Sequence, residues 1–180
     1  MRTIRALVLL VASCTAMSAN ARQLHPPEQI VVEPTGRLQL AAQARRSHLL
    51  GAVDLYTVAI YGAGAIDRAR LASVDVAKAL RIDVTYIEDI RRRVALDWRG
   101  ELVPRLEPAA VAHLRGVFAP LQHGDAVQVE YVPAKGTIVR VNKAVAVSGA
   151  HHDLMLAFLD HWLGERPLSE EIKRMLLASL

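Results

Sequence analysis

Arginines and tyrosines are the side chains whose spacing in this sequence could hold a ligand. Arg45 and Arg46 stand ahead of an alternating stretch that carries Tyr56, and Tyr86 closes the next long alternating stretch. An arginine beside an apolar cavity is costly unless an anion pairs with it, and its planar fork matches a carboxylate. A tyrosine hydroxyl can donate one more hydrogen bond to the same anion. The same residues also read as two solvent-exposed edge arginines and an ordinary core tyrosine. On residue types alone that second reading is the plainer one.

Other constellations carry less. His151, His152 and His161 cluster, but His152 and His161 are not three or four residues apart, the spacing that stacks two imidazoles on one helical face. No metal site is expected. Gly62-Ala-Gly64 after a strand has two glycines of a dinucleotide fingerprint, yet Asp67 stands where the third belongs and no parallel βαβ unit follows. No cofactor is expected. Arg91-Arg92-Arg93 point three ways on a helix and lack interleaved aromatics, so they read as a solvated face and not as a nucleic-acid surface. A Gly-x-Ser-x-Gly elbow is absent, which argues against serine hydrolase chemistry.

The chain has 180 residues, 52% hydrophobic and 22% charged, enough for one domain with a core and too apolar for a disordered chain. Cys14 is its single cysteine, so no intrachain disulfide forms. The first residues read as an export signal. Arg2 and Arg5 form a basic start, Ala6–Ala12 is an apolar run too short to span a bilayer, and Ala19-Asn20-Ala21 is a small-x-small cleavage pattern. A signal peptide over 1–21 implies a periplasmic or secreted protein, without a transmembrane segment once cleaved. Cleavage removes two basic residues and so halves the formal charge of +4. The alternative is a lipoprotein box, Val11-Ala12-Ser13-Cys14, with anchoring through Cys14.

The rest must position the chemistry. After a lead-in over 22–37, short strands are expected at Ile30–Val32 and Leu38–Leu40 around Pro34-Thr35-Gly36. Residues 52–61 form the clearest strand, with Asp54, Tyr56, Val58 and Ile60 expected on one side and Val53, Leu55, Thr57 and Ala59 on the other. Leu80–Tyr86 is a second alternating strand, and from Glu88 the period changes to that of an amphipathic helix through Trp98. Pro108 opens another helix, and strands follow at 127–131, 137–142 and 145–147. Leu154, Phe158 and Trp162 mark a helix ended by Gly164. Ser169 caps the last helix, with Glu170 and Glu171 in its first turn. Strands in runs, separated by helices in runs, imply an α+β fold with an antiparallel sheet covered on one face.

From Leu38 to the end, residues 38–180, the chain resembles the chalcone isomerase-like family. The resemblance rests on Asp54-Leu-Tyr-Thr-Val-Ala-Ile-Tyr61, on His123–Tyr131 with Pro133 and Gly136-Thr137, on Asn142, and on Trp162-Leu-Gly-Glu-Arg-Pro167. It implies an open-faced β-sandwich: a large antiparallel sheet, a helical layer on one face, and a ligand cleft between them. The family includes plant enzymes that cyclise chalcones, fatty-acid-binding proteins and non-catalytic helpers.

The resemblance also assigns residues. The enzymes' arginine falls on Arg46, with Arg45 the alternative. Tyr56 stands where the enzymes carry Thr and the fatty-acid-binding branch carries Tyr. Tyr86 matches the enzymes' active-site tyrosine. Arg93 replaces an Asn, and Met155 replaces a Ser or Thr, so two groups that would orient a flavonoid are gone. A methionine there softens an apolar cavity and suits an alkyl chain. The implied function is a non-catalytic binder of a fatty acid or similar amphipathic carboxylate, with no catalytic residue and no metal. The alternatives are an isomerase acting on a chalcone-like enone and a periplasmic interaction protein with no small ligand.

Overall fold

Among the described residues seven strands form one sheet whose spatial order follows the chain: β1 (Gln29–Val32), β2 (Gly36–His48), β3 (Val53–Gly62), β4 (Lys78–Val84), β5 (Ala126–Val132), β6 (Gly136–Val141) and β7 (Ala144–Gly149). Every neighbouring pair is antiparallel. The computed structural model describes residues 25–48, 53–85, 108–149 and 151–180. Among the described residues the helices are α1 (Arg68–Ala72), α2 (Pro108–Phe118), α3 (His152–Leu163) and α4 (Glu170–Ser179). The helix expected from Glu88 through Trp98 lies outside the described residues.

Two-residue alternation builds both faces of the sheet. On one face Val58, Ile60, Leu80, Ile82, Val127 and Val129 pack with Leu114 and Phe118 of α2, Phe158 and Trp162 of α3, and Ile172 and Leu176 of α4. On the other, a smaller cluster joins Ile30, Val32, Leu38, Ala59, Tyr61, Ala79 and Val132. Tyr61 is sealed there, with its hydroxyl donating to the Pro27 carbonyl at 2.9 Å. The fold is therefore α+β with helices on one face of an antiparallel sheet, as the element order implies.

Two irregularities decide which side chains face the helices. The β2–β3 register skips between Leu40 and Ala42, so Ala41 is an extra residue on β2. A bulge of this kind turns the alternation over. Leu38 and Leu40 lie with the smaller cluster, while Ala42 and Ala44 lie with the helix-side core. The second irregularity follows Arg46: Arg46 pairs with Tyr56, but Ser47 pairs with Asp54, leaving Leu55 extra on β3. Leu55 and Tyr56 then both enter the helix-side cluster. Asp54, expected beside Tyr56 and Val58, is carried to the opposite face, where it meets Arg45.

Other boundaries have local causes. β2 runs on to His48, so Arg45 and Arg46 belong to a strand and not to a segment preceding one. Asn142 and Lys143 both have positive φ, 49° and 74°, the paired left-handed turn that joins two strands with the right twist. Ser169 caps α4 by accepting from the Ile172 amide at 3.4 Å. Gly164 ends α3 because of space and not because of its conformational freedom. Its φ is −68°, so no left-handed conformation is needed. A Cβ at that position would stand 2.5 Å from the Asp160 carbonyl oxygen, so the residue is glycine for space.

Candidate functional site

Arg46 and Tyr56 are direct cross-strand partners, and Tyr56 is paired in turn with Val84 of β4. The bulge at Ala41 turns Arg46 toward the helices. Its Nη1 donates to Glu171 Oε2 at 3.2 Å and to Ser169 Oγ at 3.4 Å, both at the start of α4. Its Nε is buried and has no hydrogen-bond partner among the described residues. Leaving such a donor unsatisfied costs about 1–3 kcal/mol. Tyr56 is 3% exposed, and Met155, on the buried face of α3, belongs to the same cluster. The structure thus brings Arg46, Tyr56 and Met155 to one side of the sheet.

Arg45 is turned away. It pairs with Thr57 across the ladder and its Nη1 meets Asp54 Oδ2 at 3.2 Å. The two arginines left open by the sequence are therefore separated by the sheet itself, and only Arg46 shares a face with Tyr56. Tyr86 and Arg93 lie outside the described residues.

Sequence reasoning missed two polar groupings. The first joins Lys78, Tyr131 and His152. Lys78 has no exposed surface; its Nζ donates to the Ser73 carbonyl and sits 5.0 Å from the centre of the Tyr131 ring. Burial pulls its pKa down from 10.5 to about 8. The Tyr131 hydroxyl donates to the Val74 carbonyl at 2.8 Å, and the His152 ring lies 4.4 Å from the tyrosine ring. Burial lowers the His152 pKa, the Lys78 charge lowers it further, and Asp153 opposes both. The available signal was a lysine opening a strand that alternates cleanly after it.

The second grouping lies on the face away from the helices, in a concavity of about 690 Å³ whose lining includes Ile30, Arg81, Gln128, Glu130, Arg140 and Lys143. Arg81, Gln128 and Arg140 form one row across β4, β5 and β6. Arg81 binds both oxygens of Asp83, at 2.8–3.1 Å, while Arg140 Nε and Gln128 Nε2 both donate to Glu130 Oε1, at 3.0 and 2.7 Å. Both carboxylates are nearly buried, so each needs its arginine. A smaller concavity of about 250 Å³ lies between α1 and α3, lined by Leu71, Leu156, Leu159 and Leu163 among others.

The remaining motifs resolve structurally. Gly62 precedes a five-residue helix and an antiparallel strand, and a Cβ there would stand 2.7 Å from Ile66 Cδ1. His161 Nδ1 is 2.7 Å from the Ala157 carbonyl of its own helix. Among the described residues no three of His, Cys, Asp and Glu gather as a metal cluster. No described helix is long and apolar enough to cross a membrane.

This arrangement is an α+β protein with an arginine–tyrosine pair between a meandering sheet and its helices. The model of the family described as chalcone isomerase-like matches residues 18–178, and the chain belongs to that family. Among solved structures it is similar to the crystal structure of a fatty-acid binding protein of Arabidopsis thaliana, with a TM-score of 0.51 and 16% identity over 83% of this chain and 96% of that one. At that identity the likeness shows the shared fold. No curated protein matches the chain.

Proposed function

We propose that this is an exported, non-catalytic member of the family that binds a fatty acid or a similar amphipathic carboxylate. The observation that carries the reading is the pairing of Arg46 with Tyr56 on the helix-facing side, with a guanidinium whose Nε is buried and unpartnered among the described residues. Such a group has hydrogen-bonding capacity to spare for a carboxylate. The fold, shared with a protein described as fatty-acid binding, supports the same reading. Met155, Tyr86 and Arg93 complete the proposed lining. The basic start, apolar run and Ala19-Asn20-Ala21 support export, and a mature protein beginning near Arg22 is expected; a lipidated Cys14 at the N-terminus would refute that part.

Each methylene buried by a ligand contributes about 0.8 kcal/mol, so a ten-carbon tail supplies on the order of 8 kcal/mol before ordering costs. The tail dominates affinity, and the arginine selects the head group. Arg46→Ala should weaken dodecanoate binding at least tenfold, about 1.4 kcal/mol and so less than the roughly 2–5 kcal/mol of a fully buried charged contact, because the side chain keeps some solvent. Dodecanol binding should barely change, and Arg45→Ala should change neither. Equal affinity of the wild type for acid and alcohol, insensitive to Arg46→Ala, would refute the clamp. Turnover of a hydroxychalcone well above the spontaneous rate would make the protein an isomerase instead.

A further inference from the structure

The guanidinium assigned to the head group already holds a carboxylate of the protein itself. Glu171 Oε2 is 3.2 Å from Arg46 Nη1, longer than the 2.7–2.9 Å usual for a charge-assisted hydrogen bond, and the contact uses only that one nitrogen. Glu171 is 55% exposed and stands in the first turn of α4, so its side chain can leave for water without unmaking the core. Ser169 Oγ accepts from the same Nη1 and from the Ile172 amide, which ties the guanidinium to the cap of the helix. On the other side of the guanidinium, Nε is buried and unpartnered among the described residues. Arg46 is thus partly neutralised by a loosely held internal anion, while its buried Nε has no partner among the described residues.

We propose that Glu171 is an affinity-setting residue, an internal carboxylate that competes with a ligand's head group for Arg46. This rests on the fatty-acid reading above and concerns the same site. Any carboxylate reaching Arg46 either displaces Glu171 or binds beside it, and in both cases its binding is weakened by that negative charge. An uncharged head group does not compete. Glu171 therefore lowers the protein's preference for acids over alcohols and keeps the arginine from sitting uncompensated among apolar neighbours. The exchange also reaches α4, because the ligand draws on the arginine that Ser169 helps to hold.

The test is the affinity of dodecanoate and dodecanol for the wild type, Glu171→Gln, Glu170→Gln and Arg46→Ala, with the double variant closing the cycle. Glu170 lies in the same helical turn, so its substitution controls for the loss of an acidic residue at a helix N-terminus. The worth of a partly exposed ion pair sets the expected size. Glu171→Gln should tighten dodecanoate binding about two- to fivefold and leave dodecanol unchanged. Glu170→Gln should alter neither, and Glu171→Gln should have no effect once Arg46 is alanine. If Arg46→Ala weakens dodecanoate but Glu171→Gln leaves it unchanged or weaker, the competition is refuted and the clamp stands. If Arg46→Ala has no effect either, the clamp itself is refuted.

Discussion

Lys78 should make the stability of this protein rise with pH through a range where most proteins only lose it. Its ammonium is buried beside the Tyr131 ring with one backbone carbonyl as acceptor, and desolvation lowers its pKa from 10.5 to about 8. A lowered basic pKa means that the unfolded chain binds the proton more tightly than the folded one. Below pH 8 both states are protonated and the full penalty, on the order of 3 kcal/mol, is present. Between pH 8 and 10 the folded state has lost the proton and the unfolded state has not, so stability should climb by about 2 kcal/mol. Tyr61 and Tyr131 act in the other direction, since burial raises their pKa values and their contribution is lost only above the ordinary 10. The window from 8 to 10 isolates the lysine. Lys78→Met keeps the length and apolar stem, removes the buried charge, and should raise stability at pH 7 by about 1–3 kcal/mol while abolishing the climb. Urea unfolding of both proteins at intervals across that window gives the comparison. Parallel curves for wild type and variant would refute the reasoning and mean that Lys78 is solvated in the folded state.

On the concave face, Arg140→Ala should cost about 2–4 kcal/mol in urea unfolding because it leaves the nearly buried Glu130 with only its Gln128 contact, whereas the double variant Glu130→Met with Arg140→Met should recover most of it. A single-variant loss below 1 kcal/mol would show that the pair is effectively solvated. Gly164→Ala should destabilise by about 1–2 kcal/mol through the crowding at the end of α3. Adding Asp160→Ala should return only part of that, since the Asp160 carbonyl remains, and full recovery would point to the side chain alone.

The parts of this fold that follow from local chemistry were legible. Alternation marked β3 and β5 through β7, Asn142-Lys143 marked a tight hairpin, and Ser169 with two following glutamates marked the start of α4. What escaped was everything that depends on register. A bulge adds one residue to one strand, and nothing in a single strand's sequence announces which partner residue it will skip. The phase change at Ala41 is why Arg46 and not Arg45 faces the helices, and the one at Leu55 is why Asp54 leaves the side of Tyr56. Half of the arginine choice was therefore outside the reach of periodicity, and the family resemblance supplied the preference for Arg46. α1 was missed because five residues are too few to show a helical period. Lys78 was missed because a lysine at a strand end ordinarily reaches solvent, and here Tyr131 and the Ser73 carbonyl enclose it.

The sheet's order, in which spatial sequence and chain sequence coincide from β1 to β7, has a consequence for how the molecule comes together. Each strand finds its partner in the strand made just before it, so no described strand has to thread past another. Most pairings close over a few residues, and loop-closure entropy grows with the logarithm of the span. The exception is the junction of β4 with β5, where the chain travels from Val84 to Ala126 before Asp83 and Ala126 can pair. Two three-stranded or four-stranded units, β1–β4 and β5–β7, can each assemble from contacts near in sequence, and a single long closure then joins them. Topologies dominated by such near contacts fold quickly for their size. On this geometry, the meeting of the two units along β4 and β5 carries the largest loop-closure cost.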